Sequence, residues 1–260
     1  MKSPAEIAQS YIGTAQGKTT QKWYKTLILA VLAGAFIAFG AAVATFASAG
    51  ASNAPLVKGL VFPVGLILVV VCGAELFTGN CLLISPLIGK DIKVGGFFKN
   101  WGIVYLGNFL GGLLIAVLVV YSHAQNQTVA EACVQAAAAK SNMSFSDALL
   151  RGILCNMLVC LAVWASMASS TTAGKILSVY LPVLAFVVCG FEHSVANMYY
   201  LSAGLMASVE YGITAAGLNV GNALLYCLLP STIGNVIGGS LIGIAYHTVY
   251  RTKMQKPSNK

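Results

Sequence analysis

CGFEHSVAN, residues 189–197, is a polar sequence that interrupts an apolar stretch of the chain. Its counterpart is CGAELFTGN, residues 72–80; in both copies a glutamate follows a glycine by two positions and an asparagine follows the glutamate by five. An apolar run with a proline, Pro63 or Pro182, precedes each copy. Ionisable side chains at membrane depth are costly and usually functional, and paired glycine-interrupted apolar segments indicate a transport site at an internal repeat. The pattern predicts a channel or transporter.

The composition is that of a membrane protein. Of the 260 residues, 58% are hydrophobic and 8% are charged, and the mean hydropathy is +0.81, whereas soluble domains average about 25% charged residues. A membrane span needs about 20 apolar residues. Six regions are long enough, at about 26–48, 59–88, 101–120, 149–168, 176–208 and 222–250.

The lysines and arginines that give the net charge of +8 are distributed along the chain as in a membrane protein. With the N-terminus inside, only Lys58, Lys140 and Arg151 of the 15 lysines and arginines fall on the outer side. This bias predicts that both termini are cytoplasmic, in a multi-pass protein of the cell inner membrane surrounded by lipid. Because topology explains the basicity, we expect no nucleic-acid partner.

The two ends of the chain differ from its apolar middle. Residues 1–21 have no apolar core of the kind that a signal peptide has, and we expect a cytoplasmic surface helix with Ile7 and Tyr11 turned inward. Residues 251–260 form a basic cytoplasmic tail. A six-span channel domain is predicted between them, at 22–250.

The cysteines and histidines do not form a metal-binding pattern. The seven cysteines are scattered, with no Cys-x-x-Cys motif, so we interpret them as small buried side chains and expect no disulfide framework. The three histidines are too dispersed for a metal site. The sequence therefore predicts no metal, no cofactor and no enzymatic activity.

The second and fifth apolar regions are too long for uninterrupted spans. About thirty helical residues extend roughly 46 Å, against a hydrocarbon core about 30 Å thick. In the second region we predict a break at Gly79-Asn80 followed by Ser85-Pro86, and in the fifth at Gly190 and the polar set 192–197. Non-helical backbone at this depth must be buried in protein or line a cavity. We therefore expect the two breaks to meet in the interior.

A second duplicated motif follows the first. LGNFLGG at 106–112 matches IGNVIGG at 233–239, and small residues four apart allow helix backbones to approach closely. Asn108 and Asn235 are expected to hydrogen-bond to the backbone of the breaks. Two different motifs repeated in the same order predict an inverted repeat of three spans each. The fold class is thus an all-α membrane protein of six transmembrane helices, in a 3+3 arrangement with broken helices 2 and 5, its repeats covering about 22–121 and 145–250.

Three polar side chains near the breaks are candidates for the pore. His193 is suited to bind an anion and pass it a proton, since a free histidine titrates near physiological pH. Thr78 offers a hydroxyl to the permeant species. Asn156 is suited either to orient His193 or to join two helices by a hydrogen bond.

The glutamates and the outer lysine each have two interpretations. Glu75 and Glu192 either bind a cation or relay protons, or they accept hydrogen bonds from loop N–H groups and hold the breaks; their recurrence favours the second. Lys140 either concentrates anions at a pore mouth or is a solvated loop charge. The residues predicted to support the breaks are Glu75, Glu192, Asn80, Asn197, Asn108 and Asn235.

Large apolar side chains near the breaks belong either to the core or to constrictions that exclude hydrated ions. They are Phe62, Leu66, Leu76, Phe77, Val159 and Phe186.

Five segments of the chain closely resemble the formate/nitrite transporter family, and the resemblance extends over about residues 22–250. The segments are AELFTGN (74–80), NWGIVYLGNFLGG (100–112), CNMLVCLAVW (155–164), GFEHSVANM (190–198) and TIGNVIGG (232–239). The pairing of the first segment with GFEHSVANM is the most specific feature. Among family members, the chain looks most like the bacterial hydrosulfide channels.

The resemblance implies an aquaporin-like protomer in a symmetric homopentamer, each protomer with its own pore for small monovalent anions. His193 and Thr78 would be the central polar pair, with Asn156 supporting the histidine. The six apolar side chains named above would form two constrictions, and Lys140 would attract anions in the outer vestibule. The implied anions are hydrosulfide, nitrite and formate. The alternative to a hydrosulfide channel is a family member that prefers nitrite or formate.

Two other functions fit the predicted architecture less well. A water or small-solute channel of aquaporin-like fold would carry Asn-Pro-Ala at both half-helix starts, which this chain lacks. A membrane-embedded enzyme would need a nucleophile with its base, or a metal cluster, and the sequence offers neither.

Overall fold

The computed structural model describes residues 1–251, and its regular structure over that range is helical, without a β-strand. Residues 252–260, most of the predicted basic tail, lie outside the described residues. The helices are α1 (Pro4–Thr20), α2 (Trp23–Ser48), α3 (Ala54–Val61), α4 (Val64–Cys72), α5 (Ile84–Ile88), α6 (Val94–Tyr121), α7 (Gln127–Ser141), α8 (Phe145–Ala168), α9 (Thr172–Val188), α10 (Ser194–Glu210), α11 (Val220–Asn222) and α12 (Leu229–Tyr250). A 3₁₀ turn, Gly79–Leu83, precedes α5, and a π-helical turn, Ala223–Leu228, precedes α12.

Five helical segments are long and apolar enough to cross a membrane, namely Trp23–Ser48, Ala54–Cys72, Val94–Tyr121, Phe145–Ala168 and Val220–Tyr250. The shorter apolar helices are Gly79–Ile88 and Thr172–Val188. The apolar regions predicted at 59–88 and 176–208 are therefore each divided into two helical pieces.

The first interruption lies earlier than the sequence predicts. Helix α4 ends at Gly73, which has a left-handed backbone (φ 78°) that glycine adopts without steric cost. Helical structure resumes at Gly79, so the predicted break at Gly79-Asn80 and Ser85-Pro86 is wrong. Pro86 is the third residue of α5 and lies within the helical piece Gly79–Ile88, which it does not interrupt.

The second interruption is shorter than predicted. Helix α9 ends at Val188, Gly190 takes the left-handed conformation (φ 67°), and α10 begins at Ser194. Residues 194–197 of the predicted polar set therefore lie in the first turn of α10, and only residues 189–193 separate the helices.

Glycines allow two pairs of helices to pack backbone to backbone. A Cβ at Gly111 of α6 would overlap the α2 backbone at Val31, and a Cβ at Gly238 of α12 would overlap the α8 backbone at Ile153. A side chain there would push the helices apart. The two packed pairs, α2–α6 and α8–α12, carry the asparagines that support the interruptions.

Helix α1 begins with a capping box, in which the Ser3 hydroxyl accepts from the Glu6 N–H and the Glu6 carboxylate accepts from the Ser3 N–H. These hydrogen bonds hold the pKa of Glu6 below its ordinary value. Ile7 and Tyr11 are buried on the inner face of α1 in a cluster that includes Leu82. Helix α1 thus packs onto the rest of the helical structure near the first interruption.

The cysteines differ in part from their prediction as small buried side chains. All seven are free thiols, and five are buried. Cys72 and Cys189 are exposed, and each directly precedes the left-handed glycine of its interruption. Cys133 is buried in α7.

Candidate functional site

Asn108 of α6 binds the backbone of the first interruption. Its Oδ1 accepts from the Phe77 N–H at 2.9 Å, and its Nδ2 donates to the carbonyls of Glu75 at 2.9 Å and Ala30 at 2.7 Å. A primary amide supplies both an acceptor and two donors. The fully buried Asn108 side chain therefore satisfies backbone groups that a helix would otherwise have satisfied.

Asn235 of α12 makes the same three kinds of contact with the second interruption. Its Oδ1 accepts from the Ser194 N–H at 2.8 Å, and its Nδ2 donates to the carbonyls of Glu192 and Gly152, each at 2.8 Å. Asn108 and Asn235 are thus matched in sequence, burial and hydrogen bonding.

Each glutamate of the duplicated motif binds a lysine and an asparagine. Glu75 accepts from Asn80 Nδ2 and from Lys18 Nζ of α1, both at 2.7 Å. Asn80 Nδ2 also donates to Asn100 Oδ1 at 2.9 Å. The sequence predicts loop N–H groups as the donors to Glu75, whereas the structure has side chains in that role. The ion pair with Lys18 has no signal in the sequence, since 57 residues separate the partners.

Glu192 has the corresponding partners in the second half. Both of its carboxylate oxygens accept from Lys140 Nζ, at 2.9 and 2.7 Å, and Asn197 Nδ2 donates to it at 2.8 Å. Burial, the largest single effect, lowers the pKa of Lys140, but the charge and the hydrogen bonds of Glu192, with contributions from nearby groups, together raise this pKa above its ordinary value. Lys140 is therefore neither a solvated charge nor part of a loop: it belongs to α7, in a mostly buried ion pair.

Thr78 and His193 join the two interruptions. His193 Nε2 lies 2.9 Å from Thr78 Oγ1, and both side chains are buried. His193 is the N-cap of α10, and its Nδ1 accepts from the Ala196 N–H at 3.1 Å. An accepting Nδ1 carries no proton, so in the neutral ring the proton is on Nε2 and is donated to Thr78. The two breaks therefore meet through this hydrogen bond.

Asn156 of α8 does not contact His193 by a hydrogen bond among the described residues. Its Nδ2 donates to the carbonyls of Thr78 at 3.2 Å and Asn235 at 2.6 Å. Of the two alternatives for Asn156, the structure therefore has the hydrogen bond that joins two helices, α8 and α12. Asn156 also fixes the backbone of Thr78, the hydrogen-bonding partner of His193.

One cavity, here called the His193 cavity, lies on the α7 side of the central pair and has a volume of about 110 Å³. Phe62 and Phe186 line it, with ring centroids 5.9 Å apart, and the Phe186 ring stacks on the His193 ring at 6.0 Å. Lys58 and Lys140 also line this cavity. Two of the predicted constriction residues are therefore in contact beside the histidine.

A second cavity of about 450 Å³, here called the Glu75 cavity, lies at the first interruption. Glu75 and Lys18 line it, together with the predicted constriction residues Leu66 and Leu76.

The remaining two predicted constriction residues are buried but line neither cavity. Phe77 packs against the α6 side chains Tyr105 and Trp101, with ring centroids 4.9 and 5.6 Å apart. Val159 is buried in α8. Thus four of the six predicted side chains line one of these two cavities, Phe62 and Phe186 the His193 cavity and Leu66 and Leu76 the Glu75 cavity.

No group of three or more histidine, cysteine or acidic side chains suited to a metal ion occurs within residues 1–251.

Comparison with known proteins decides the family. The model of the family described as Formate/nitrite transporter matches residues 5–249. The chain belongs to the formate/nitrite transporter family. Family membership, together with the apolar helices, makes it a multi-pass membrane transport protein and not an enzyme.

Named relatives and solved structures share nearly the whole length. The chain is 38% identical to "Uncharacterized transporter YrhG" of Bacillus subtilis, over 97% of this chain and 95% of that one. It is also 38% identical to "Formate channel FocA" of Escherichia coli, over 95% and 94%. A solved "Pentameric formate channel with formate bound" matches with a TM-score of 0.77 and 30% identity, over 88% of this chain and 97% of that one. An "FNT family ion channel" matches with a TM-score of 0.82 and 25% identity, over 94% and 97%.

Proposed function

We propose that this protein is a channel for small monovalent anions of weak acids, with formate, nitrite and hydrosulfide as its substrates. The observation that carries the proposal is the buried Thr78–His193 hydrogen bond, with one cavity that His193 lines and a second cavity at the first interruption. A relative and a solved neighbour are named as formate channels, which makes formate the first anion to test. A preference for hydrosulfide rests on the sequence resemblance alone.

We propose the following architecture. The duplicated interruptions and their matched asparagines support an inverted repeat, about 22–121 and 145–250, of three spans each with broken second and fifth spans. The positive-inside bias supports cytoplasmic termini in the inner membrane, with residues 1–21 as a cytoplasmic helix and 251–260 as a basic tail. The name of the pentameric neighbour supports a homopentamer.

The apolar side chains would select against bare ions. An anion between Phe62 and Phe186, or between Leu66 and Leu76, has lost its water shell, and the free-energy cost of that loss is large. The neutral conjugate acid has no such barrier. Anions that accept a proton readily, unlike chloride, would therefore pass.

His193 would supply that proton. Protonating its Nδ1 removes the acceptor of the Ala196 N–H, and the positive end of α10 opposes a cationic ring; both effects favour the neutral histidine. A nearby anion opposes them by stabilising the imidazolium. The ring would then transfer a proton through the Thr78 hydroxyl to the anion, and water on the entry side would restore it.

Flux in proteoliposomes tests this function. The purified protein is reconstituted, and initial uptake of formate, nitrite, hydrosulfide and chloride is compared, after subtraction of the rates in protein-free vesicles. We expect uptake of the three weak-acid anions and little of chloride. Equal chloride flux, or water flux alone, would contradict the proposal.

The aromatic pair beside His193 gives a second test. The double variant Phe62→Ala/Phe186→Ala is expected to raise chloride flux by roughly tenfold or more, because removing two rings lets water accompany the ion. Phe98→Ala is the matched control, since that side chain is exposed on α6. Unchanged chloride exclusion in the folded double variant would show that these rings are not the barrier.

A further inference from the structure

Lys140, which the family resemblance implies as the residue that attracts anions, does not give the His193 cavity a net positive charge. Lys140 and Glu192 both line this cavity, but the two side chains form an ion pair at 2.7 Å, and their charges cancel. His193 is neutral in the hydrogen-bonding arrangement described above. A net positive charge at this cavity must therefore have another source.

Lys58 is that source. It lies in the last turn of α3, four residues before Phe62, and it lines the His193 cavity. Among the salt bridges and side-chain hydrogen bonds of residues 1–251, none involves the Lys58 ammonium. Glu192 is the only acidic side chain among the described residues that line this cavity, and Lys140 already occupies both of its oxygens.

We propose that Lys58, rather than Lys140, is the residue that attracts anions into the His193 cavity. The inference rests on the proposed anion-channel function and adds the residue that sets the local field. An unpaired charge at the wall of a low-dielectric cleft raises the local concentration of counter-ions and their rate of entry. Lys140 has a different role, which is to hold Glu192 and the second interruption in place.

The two lysines should respond differently to substitution. Lys58→Gln removes one partly exposed charge and leaves every described hydrogen bond of the two breaks intact. Lys140→Gln leaves the buried Glu192 carboxylate without its cation, which is destabilising. Only the first variant therefore isolates electrostatic attraction from structure.

The experiment measures initial formate uptake in proteoliposomes at low and at near-physiological ionic strength. The Debye length is about 30 Å at 0.01 M and about 8 Å at 0.15 M, so attraction by Lys58 should be strong in the first condition and weak in the second. We expect Lys58→Gln to reduce uptake about threefold to tenfold at low salt, with a smaller reduction at high salt. Lys58→Arg, which keeps the charge, should restore uptake.

The control is Arg151→Gln, which removes a positive charge from an exposed side chain of α8 that does not line the cavity. Its uptake should match wild type at both salt concentrations, and thermal unfolding should confirm that all variants are folded. If Lys58→Gln takes up formate at the wild-type rate at low salt, or if Arg151→Gln loses as much uptake as Lys58→Gln, the assignment is overturned. The channel function would remain intact. Absence of formate uptake by the wild-type protein would instead overturn the proposed function, and this inference with it.

Discussion

His193→Asn is expected to lower proton-coupled formate uptake by roughly a hundredfold, the order of effect of removing one proton-transfer group. Asparagine cannot exchange a proton, but it is among the best N-cap residues. Its side-chain oxygen can accept from the Ala196 N–H as the imidazole Nδ1 does, so α10 should keep its cap. The variant thereby separates proton transfer from helix stability.

The measurement is the rate of alkalinisation or acidification that accompanies formate movement in vesicles containing each variant. His123→Asn is the control. His123 is exposed, contacts Glu210 and takes no part in the Thr78–His193 pair. Undiminished proton-coupled flux in folded His193→Asn protein would show that the histidine does not transfer the proton.

Asn235→Leu is expected to destabilise the protein by at least about 2 kcal/mol. The substitution leaves the Ser194 N–H and the Glu192 carbonyl without their partner, whereas the Gly152 carbonyl keeps its helical hydrogen bond within α8. Each buried polar group left without a partner costs about 1–3 kcal/mol, and no water is available in a bilayer core to replace it. Leucine is close in size to asparagine, so the loss comes from hydrogen bonds more than from a cavity.

Thermal unfolding of the purified protein in detergent measures this effect. Asn108→Leu should give a similar loss of stability, since Asn108 makes the same three contacts with the first interruption. Leu241→Ala, at an exposed position of α12, is the control on the same helix. If Asn235→Leu unfolds at the wild-type temperature, the amide does not hold the break.

The duplicated motifs predict that the two apolar regions are interrupted, because each region is too long for one span and carries a glycine and an ionisable side chain that is costly at membrane depth. The position of the first interruption was less predictable. Gly73 and Gly79 are both able to end a helix, and only the left-handed backbone at Gly73 shows which one does. Pro86 is misleading because the helical piece Gly79–Ile88 continues through it, although proline often breaks the interior of a helix.

The sequence does not predict which residues, distant along the chain, pair with one another. The contact of Glu75 with Lys18 depends on where α1 packs, and the contact of Glu192 with Lys140 on the orientation of α7. A local pattern gives the position of each glutamate but not the lysine with which it forms an ion pair. Phe77 is a similar case: an apolar residue beside the break fits either a pore or a core, and the aromatic side chains of α6 decide its surroundings.

The most direct test of the proposed proton step is the number of protons that move with each formate ion. Vesicles containing the wild-type protein are given an inward formate gradient with the membrane potential clamped first at zero and then at imposed values, and formate entry and internal pH are recorded together. We expect one proton to enter with each formate, with no dependence of the rate on an imposed potential. Formate entry without acidification, at a rate that follows the membrane potential, would contradict passage as the neutral acid.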